Sequence, residues 1–366
     1  MLHRCRIRRM NIAIIGMQSS GKSSLFSLLT GIEPRNGKNG CAEGIARVPD
    51  ERVDALSGLF NPRKTTYAQI GLTDHPGYSP STCRSIAKNA DALLFVIGAF
   101  SIDPSSPAPG QGASGSRGDA RRTVVSEYDD LLTDMVLGDL QQVEGTLERM
   151  SRARGKPQRT GDIEALEAVR RALSDGTPAR AANLDPEARS LMSSFGFATW
   201  KPAVVAVNLS EDQISSGEYS GKDDLLARCS DIGAEVMEFS CMVEKEVALL
   251  DRDEQQSFLS AYGLLEPGIN RLAIAAYRSA GLISFFTCGE DEVRAWTVRV
   301  GATAREAAGK IHTDIERGFI RAEVFSFDDI QEYRSVRALK EAGKFRLESK
   351  DYVVKDGDVC SFRFNV

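Results

Sequence analysis

The 366-residue sequence lacks the features that define several broad classes of protein. No apolar run approaches the roughly 20 residues that a helix needs to span a bilayer, so no membrane contact is expected. The net charge is −5, which argues against a wholly basic nucleic-acid binder but leaves room for a local basic patch. The seven cysteines are scattered and include no CxxC pair, which predicts free thiols in a reducing cytoplasm.

The N-terminal residues Met1 to Met10 resemble the charged start of a signal peptide. The apolar stretch after them is short and leads directly into a glycine-rich loop that cleavage would destroy. We therefore expect no signal peptide, and both Met1 and Met10 stay open as the natural start.

The glycine-rich loop follows a predicted strand, Asn11 to Ile15, and precedes a predicted helix, Ser23 to Leu29. Residues 16–23 are Gly-Met-Gln-Ser-Ser-Gly-Lys-Ser and fit G-x-x-x-x-G-K-[ST]. In this motif the backbone N–H groups and the helix N-terminus face phosphate oxygens. Lys22 is expected to reach the β- and γ-phosphates of ATP or GTP, and Ser23 to bind Mg²⁺. The predicted phosphate contacts are Gly16, Gln18, Ser19, Ser20, Gly21, Lys22, Ser23 and Ser24.

A D-x-x-G motif, Asp74 to Gly77, follows another predicted strand, Ala68 to Thr73. In P-loop nucleoside triphosphatases the Asp of this motif holds Mg²⁺ and the Gly amide senses the γ-phosphate, although the motif alone also fits an ordinary turn. Lys22, Asp74 and Gly77 are thus predicted to support phosphoryl transfer. Tyr78 occupies the position at which Ras-like enzymes carry the glutamine that orients water. We therefore expect slow hydrolysis, or hydrolysis by another group, and assign no catalytic residue.

Asn208 to Glu211 follows the predicted strand Ala203 to Val207, where GTPases carry N-K-x-D. The Asp of that motif accepts hydrogen bonds from guanine. Leu209 and Glu211 replace its Lys and Asp, which favours relaxed or adenine-directed specificity, and a capped turn is the alternative interpretation. The predicted base contacts are Asn208, Leu209, Glu211, Ser240, Cys241 and Met242.

Alternating strands and helices predict an α/β fold with a parallel sheet covered on both faces. A Pro/Gly-rich stretch, Pro104 to Arg122, interrupts this pattern and is predicted to be a flexible loop. Helical residues follow, with two apolar stripes at coiled-coil spacing around a turn near Pro157, which predicts an antiparallel helical hairpin. The stripes are Val136, Leu140, Val143, Leu147 and Met150, and then Ile163, Leu166, Val169 and Leu173.

From Gly281 the pattern predicts a small α+β module. Its predicted helix covers Ala304 to Arg317, and Asp356 to Asp358 is predicted to form a turn. Its predicted strands are Leu282 to Thr287, Ala295 to Val300, Tyr352 to Val354 and Cys360 to Val366.

Long strings of the sequence resemble the YchF/Obg-like ATPase family, a branch of the TRAFAC P-loop proteins. The resemblance covers nearly the whole chain and includes the phosphate loop, Val48 to Arg52 and Asn208 to Glu211. It is densest in C-terminal strings that resemble the family's TGS domain, a ubiquitin-like β-grasp module. These strings are residues 285–287, 292–297, 307–314, 318–323, 350–352 and 356–358.

The resemblance implies a Ras-like G-domain in two parts, 1–125 and 199–280, interrupted by a coiled-coil insertion at 126–198 and followed by TGS at 281–366. It implies ATP preference over GTP, with Mg²⁺, and a role in translation or stress regulation through a ribosome or ribonucleoprotein. Nucleic-acid contact is expected at the surfaces of the insertion or the TGS domain. We expect a cytoplasmic monomer.

Three departures from the family pattern fall in the segments that would carry switching. Ser19 replaces the asparagine with which related GTPases hold K⁺, so K⁺ stimulation has no clear basis. Gln69 replaces the usual threonine before the D-x-x-G motif, and Thr65 and Thr66 are the substitutes considered for the Mg²⁺ contact of switch I. The segment Ser79 to Asn89 is short and free of glycine. Two alternatives to a slow ATPase therefore stay open: a nucleotide-sensing binding protein with little hydrolysis, and a GTP-binding protein.

Overall fold

The computed structural model describes residues 10–34, 40–75, 77–101, 123–152 and 160–365. The chain divides into two compact units. The larger unit contains Met10–Ile45 and Gly71–Ala276, and the smaller unit contains Ala46–Ile70 and Tyr277–Val366. The loop predicted from Pro104 to Arg122 and the turn predicted near Pro157 lie outside the described residues.

Strands and helices alternate along the described residues. In chain order the strands are β1 (Asn11–Gly16), β2 (Ala42–Arg47), β3 (Lys64–Thr66), β4 (Gln69–Asp74), β5 (Ala92–Gly98), β6 (Ala203–Asn208), β7 (Glu235–Phe239), β8 (Leu282–Cys288), β9 (Glu292–Arg299), β10 (Phe319–Ser326), β11 (Arg346–Glu348) and β12 (Asp358–Phe364). The helices are α1 (Lys22–Thr30), α2 (Glu51–Phe60), α3 (Pro80–Asn89), α4 (Val124–Arg152), α5 (Thr160–Ser174), α6 (Pro186–Ser193), α7 (Glu211–Ser216), α8 (Lys222–Asp231), α9 (Cys241–Val247), α10 (Arg252–Ala261), α11 (Gly268–Ser279), α12 (Ala304–Ile311), α13 (Thr313–Arg317), α14 (Phe327–Tyr333) and α15 (Val336–Glu341).

One six-stranded sheet has the order β2-β4-β1-β5-β6-β7, and its last five strands pair in parallel. Every residue of β5 and β6 is buried, as expected for parallel strands that are covered on both faces. The predicted α/β class is therefore confirmed. Because the carboxyl ends of parallel strands meet at one edge, the loops after β1, β4, β5, β6 and β7 lie at the same edge of this sheet.

The strands predicted at Asn11 to Ile15, Ala68 to Thr73 and Ala203 to Val207 agree with β1, β4 and β6 to within one residue at either end. The strand β2 was not predicted from the sequence. Its residues, Ala-Glu-Gly-Ile-Ala-Arg, have little intrinsic β propensity and only one β-branched member, so the neighbouring strand and not the local sequence makes this segment extended.

The long helix α4 has two parts with different environments. Its first half carries Tyr128, Leu131 and Met135, which are buried in the same core as the sheet strand β5. Its second half packs with α5 through the predicted apolar stripes, in which Val143 and Leu166 are fully buried. The predicted hairpin helices are thus confirmed, and α4 starts two residues before the predicted boundary at 126.

The smaller unit has a mixed six-stranded sheet in the order β11-β10-β12-β8-β9-β3. The strands β8 and β9 are antiparallel, β12 lies parallel to β8, and β10 lies antiparallel to both β12 and β11. The helix α12 packs on this sheet, and its Ala304 and Ala307 join Phe285, Val324 and Cys360 in the core. A mixed sheet with a helix on one face agrees with the expected β-grasp module.

Two predictions for this unit were wrong in detail. The predicted single helix Ala304 to Arg317 is two helices, because His312 is extended (φ −160°) and its ring accepts a hydrogen bond from Asp314 N at 3.2 Å. The predicted strand Tyr352 to Val354 is reduced to an isolated bridge between Val353 and Thr303. The strands β10 and β11 and the helices α14 and α15 were not predicted.

The segment Ala46–Ile70, expected within the first nucleotide-binding part, is grouped with the C-terminal residues. Its helix α2 packs on β8 and β9, and its strand β3 pairs in parallel with β9. The short strand, Lys-Thr-Thr, has no apolar residue of its own, so backbone pairing rather than hydrophobic burial holds it in the sheet.

No helix within the described residues combines the length and the apolarity needed to cross a membrane. Six of the seven cysteines lie in those residues, and all six are free thiols, as predicted.

Candidate functional site

The phosphate loop connects β1 to α1 and needs glycine at two positions. Gly21 has φ +98°, and a Cβ there would lie 2.3 Å from Nδ2 of Asn208. A Cβ at Gly16 would lie 2.5 Å from the carbonyl oxygen of Val96 on β5. A side chain at either position would therefore collide with the sheet or with the loop that follows β6. The structure therefore requires glycine at both ends of the predicted G-x-x-x-x-G motif.

Lys22 lies at the mouth of this loop and is only 5% exposed. Its Nζ donates a hydrogen bond to the carbonyl of Met17 at 3.1 Å, within the same loop. Burial lowers the pKa of Lys22, and the carboxylate of Asp74 opposes that shift. Among the described residues this carbonyl is the one hydrogen-bond acceptor of the buried ammonium, so Lys22 is suited to bind a phosphate.

Ser23 and Asp74 form the predicted Mg²⁺ position. The Ser23 hydroxyl donates to Oδ2 of Asp74 at 2.8 Å. The other carboxylate oxygen, Oδ1, is buried and has no hydrogen-bond partner among the described residues. Burial raises the pKa of Asp74, while Ser23 and Lys22 act in the opposite direction. A hydroxyl beside a carboxylate with one free oxygen is the hard oxygen set that Mg²⁺ prefers, so these residues fit the ion.

Asn208 connects the phosphate loop to the loop that follows β7. Its amide Nδ2 donates to the carbonyl of Ser20 at 3.2 Å, and its Oδ1 accepts from Cys241 N at 2.9 Å. Asn208 is 3% exposed, so both hydrogen bonds are shielded from water. The asparagine therefore fixes the spacing between the phosphate end and the base end of the site.

A cavity of about 710 Å³ extends along this edge of the sheet. Most of the predicted nucleotide contacts line it, whereas Gly16, Gln18, Ser20 and Ser240 lie in the same loops but do not line it. The predicted lining residues are Ser19, Gly21, Lys22, Ser23, Ser24, Gly77, Asn208, Leu209, Glu211, Cys241 and Met242.

The structure adds Phe100, Ser210, Asp212 and Lys245 to this cavity, and none of the four was among the predicted contacts. Phe100 is 39% exposed and Met242 is 56% exposed, so both present apolar surface to a ligand. Phe100 lies two residues after the end of β5, at the same sheet edge as the other loops. That position was the signal in the sequence that could have identified it.

Ser210 caps α7, so the capped-turn interpretation of Asn208 to Glu211 is also correct. Its hydroxyl accepts from Gln213 N at 3.2 Å, and the Gln213 side chain accepts from Ser210 N at 2.9 Å. This capping box fixes Glu211 as the first residue of α7. The capped turn is also part of the nucleotide site, because the cap holds Glu211 at the cavity wall.

Known proteins match the chain over almost its whole length. The "Ribosome-binding ATPase YchF" of Haemophilus ducreyi is 35% identical over 96% of this chain and 98% of the relative. Proteins of the same name from Bacillus subtilis and Escherichia coli O157:H7 are each 34% identical over the same shares. The chain belongs to the YchF family.

Two further comparisons agree with membership of the YchF family. The family YchF-GTPase_C, described as "Protein of unknown function (DUF933)", matches residues 282–365, which is most of the C-terminal part of the smaller unit. The solved "Structure of the Schizosaccharomyces pombe YchF GTPase" superposes with a TM-score of 0.82 at 24% identity and covers 97% of this chain and 98% of that one. The overall fold of this YchF member is therefore shared with that structure.

Tyr78 distinguishes the switch loop of this YchF member from that of Ras-like enzymes. Its hydroxyl donates to Oδ2 of Asp134 on α4, and burial together with Asp134 raises the pKa of the phenol. Gly77, one residue earlier, lines the cavity with φ +89°. The loop therefore presents its glycine to the cavity while its tyrosine is bonded to the long helix.

Thr65 and Thr66, the residues considered for the switch I contact in YchF, lie on β3 in the smaller unit. The Thr65 hydroxyl pairs with that of Ser57 at 2.8 Å, and the Thr66 hydroxyl donates to Glu292 at 2.6 Å. The structure gives both hydroxyls other partners and does not group them with Ser23 and Asp74. Their metal role stays a prediction. Ser19, which replaces the family asparagine, has φ +64°, a conformation that asparagine tolerates better than serine.

Proposed function

We propose that this protein binds and slowly hydrolyses ATP, and that its nucleotide state controls association with the ribosome in the cytoplasm. The observation that carries the proposal is one continuous cavity with Lys22 and Ser23 at its phosphate end and Leu209 and Glu211 at its base end. The relatives named ribosome-binding ATPase, similar over nearly the full chain, support the ribosome as partner.

Within this proposal, Ser23 and Asp74 hold Mg²⁺, and Lys22 binds the terminal phosphates. When bound, Mg²⁺ supplies positive charge that offsets the charge developing on the phosphate oxygens. Gly77 lines the same cavity, and its amide serves as the γ-phosphate sensor. These residues position the nucleotide and stabilise charge, but none of them removes a proton from water.

The slowness of hydrolysis follows from Tyr78. This residue replaces the water-orienting glutamine of Ras-like enzymes, and its hydroxyl is bonded to Asp134. Without a side chain that orients water, fast hydrolysis needs a partner that supplies such a side chain or changes the conformation of the loop. Stimulation of turnover by ribosomes is the expected consequence.

Preference for ATP follows from the base end of the cavity. Leu209 is 2% exposed and offers no charge to a base, and Glu211 is held at the start of α7 by the Ser210 cap. The apolar surfaces of Phe100 and Met242 provide contact with a purine ring but do not distinguish adenine from guanine. Specificity against guanine therefore rests on Leu209 and Glu211.

A titration with Mg²⁺-ATP and Mg²⁺-GTP tests binding and preference. We expect tighter binding of ATP, and a shift toward GTP in the double variant Leu209→Lys, Glu211→Asp. Hydrolysis is then measured with and without purified ribosomes, with Lys22→Ala as the inactive control. Absence of ATP binding at micromolar concentration would contradict the proposal.

A nucleotide-sensing protein with little hydrolysis is the second candidate, and the bond between Tyr78 and Asp134 favours it. In that case ribosome pelleting would depend on which nucleotide is bound while turnover stays at background even with ribosomes. Hydrolysis that is stimulated by ribosomes and lost in Lys22→Ala would exclude this candidate.

A further inference from the structure

A second cavity, of about 370 Å³, lies between α3 and α4 of the larger unit. It shares no lining residue with the nucleotide cavity. We call it the α3–α4 groove. The residues that matter for its chemistry are Arg84 and Lys88 from α3 and Gly138, Asp139, Gly145 and Arg149 from α4.

The accessible charge of the α3–α4 groove is positive. Arg84 and Lys88 are four residues apart on α3 and so lie on the same face. Arg149 donates to the Gly145 carbonyl at 3.1 Å and to the Thr146 hydroxyl at 2.9 Å. Among the described residues, none of these three cations forms an ion pair with a carboxylate. Their charges are therefore available to a ligand.

Asp139 is the single acid among the described residues that line the groove, and it is shielded from the surface. Asp139 is 1% exposed. Its carboxylate accepts hydrogen bonds from Ala198 N at 2.9 Å and Thr199 N at 2.7 Å, and from the Thr199 hydroxyl at 2.6 Å. Its negative charge is thus engaged mainly by these buried donors, and the charge of Lys88 acts on it more weakly.

Two glycines of α4 shape the groove. A Cβ at Gly138 would lie 1.9 Å from Cδ of Arg84, so the missing side chain gives the arginine its place against α4. A Cβ at Gly145 would meet no atom within 4 Å. These glycines are seven residues apart, two turns along one face of α4. Along this face of α4, Arg84 therefore fills the space beside Gly138, whereas the space beside Gly145 is open.

We propose that the α3–α4 groove binds the phosphate backbone of RNA through Arg84, Lys88 and Arg149. Three cations that form no ion pair among the described residues meet at this groove and complement a polyanion, on a chain whose net charge of −5 otherwise repels one. No aromatic side chain lines the groove in the part of the chain that the structure describes, so bases have no stacking partner there. The contact is therefore with phosphates and independent of sequence.

The position of α3 links this groove to the nucleotide. The helix begins at Pro80, three residues after Gly77. Tyr78 donates to the Asp134 side chain and Arg84 to the Asp134 carbonyl at 3.4 Å, so both contacts join the D-x-x-G segment and α3 to α4. The D-x-x-G segment and the α3 wall of the groove are thus tied to the same residue of α4. The proposal rests on the nucleotide-controlled ribosome association proposed above and names the chemistry of one contact within it.

The test measures binding of the full chain to a fluorescein-labelled 20-nucleotide uridine RNA by fluorescence anisotropy at several salt concentrations. For the double variant Lys88→Gln, Arg149→Gln we expect affinity about tenfold weaker and a log–log salt slope reduced by about 2, one for each phosphate contact. The matched control, Arg152→Gln with Arg171→Gln, removes two exposed charges, one from α4 and one from α5, without touching the groove. This control protein should retain the RNA affinity and the salt slope of the wild type.

A second pair of variants tests the shape of the groove without changing its charge. Gly145→Leu fills the open part of the groove and replaces a helical glycine, so the fold is retained while RNA affinity falls several-fold. Gly161→Leu on α5 also projects into open space and serves as the control. Nucleotide affinity is measured in parallel and should be unchanged in all four proteins.

Wild-type RNA affinity and slope in both groove variants, with nucleotide affinity intact, would overturn the proposal while leaving the proposed ATPase function in place. Failure of the wild-type chain to bind the RNA would overturn it too. Equal competition by a 20-residue polyglutamate would assign the groove to an acidic protein partner instead. Loss of ATP binding by the wild-type chain is the separate result that would reject the proposed function.

Discussion

At the scale of single residues, Asn208 links the two loops that shape the nucleotide site. It donates a hydrogen bond to the Ser20 carbonyl in one loop and accepts one from Cys241 N in another, and both partners are main-chain groups shielded from water. Lys22, Ser23 and Asp74 act on the ligand directly. Asn208 acts by holding the loops that carry the ligand contacts.

We expect Asn208→Ala to lower the free energy of unfolding by about 3 kcal/mol, because it leaves a buried carbonyl and a buried N–H without partners. Affinity for Mg²⁺-ATP should fall in the same protein. Chemical denaturation and a nucleotide titration measure the two effects. Asn89→Ala, which removes an exposed asparagine at the end of α3, should change neither, and an Asn208→Ala protein with wild-type stability would contradict the bridging role.

Glu244 is a buried carboxylate outside the nucleotide site. It is 2% exposed, and its Oε1 accepts a hydrogen bond from Gly268 N at 2.6 Å, at the first turn of α11. Burial raises the pKa of Glu244, and the hydrogen bonds from the α11 backbone and the charge of Arg271 only partly oppose this. The folded state therefore binds the proton of Glu244 more tightly than the unfolded state does.

For an acid with a raised pKa, stability is lost as the pH rises through the folded-state pKa. We expect Glu244→Gln to be more stable than the wild type at pH 7, by about 1 kcal/mol, because it keeps an acceptor and removes a buried charge. The difference should shrink as the pH falls toward the ordinary range of a carboxyl group. Denaturation across that pH range tests this, with the exposed neighbour Glu246→Gln as the control. A difference that grows on acidification would show the opposite sign.

At the scale of secondary-structure elements, α4 joins the sheet core to the helical hairpin. Its 29 residues span about 44 Å, enough to pack on β5 at one end and on α5 at the other. Asp139 lies near its middle and accepts hydrogen bonds from Ala198 and Thr199. The Thr199 hydroxyl in turn accepts from Ala179 N at 2.9 Å, so one carboxylate holds two irregular segments against the helix.

We expect Asp139→Ala to cost about 3 kcal/mol in the free energy of unfolding, because it leaves several buried donors without an acceptor. Thermal unfolding followed by circular dichroism measures the loss. Asp129→Ala on the same helix is the control. It removes a half-exposed ion pair with Arg228, which should contribute less than about 1 kcal/mol. Similar losses in the two variants would show that burial of Asp139 is unimportant.

At the scale of the whole molecule, the chain leaves the nucleotide sheet after β2, builds α2 and β3 into the C-terminal sheet, and returns as β4. The phosphate loop and the D-x-x-G motif are thus separated in sequence by a segment that belongs to the smaller unit. Arg52 secures that segment: it pairs with Asp50 and with Asp356, each at 2.8 Å, and its guanidinium lies over the ring of Phe286.

Removal of this link should loosen the returning segment. We expect Arg52→Ala to destabilise the smaller unit by about 1–2 kcal/mol and to speed amide hydrogen exchange in β3 and β9. Arg63→Ala, in the same segment, removes an ion pair with Asp291 that is almost fully exposed on both sides. It should leave exchange unchanged. Equal exchange in the two variants would show that Arg52 does not hold the segment.

The sequence by itself determined the parts of this protein whose signal is local. The strand, glycine loop and helix around Lys22 are read from adjacent residues, because phosphate binding needs glycines and a lysine at fixed spacing. The stripes of α4 and α5 follow from a period of three to four residues that one helix face imposes. Asn208, Leu209 and Glu211 were found because they follow a buried apolar run.

Only the tertiary structure decided which distant segments meet. Nothing in Lys64 to Thr66 predicts pairing with β9, more than 200 residues later, because a strand partner is chosen by backbone groups that every residue carries. The bond from Tyr78 to Asp134 and the meeting of Arg84, Lys88 and Arg149 in one groove likewise depend on how α3 packs on α4. Side-chain spacing along one element is fixed by its period, whereas contacts between elements are fixed by the packing of the whole core.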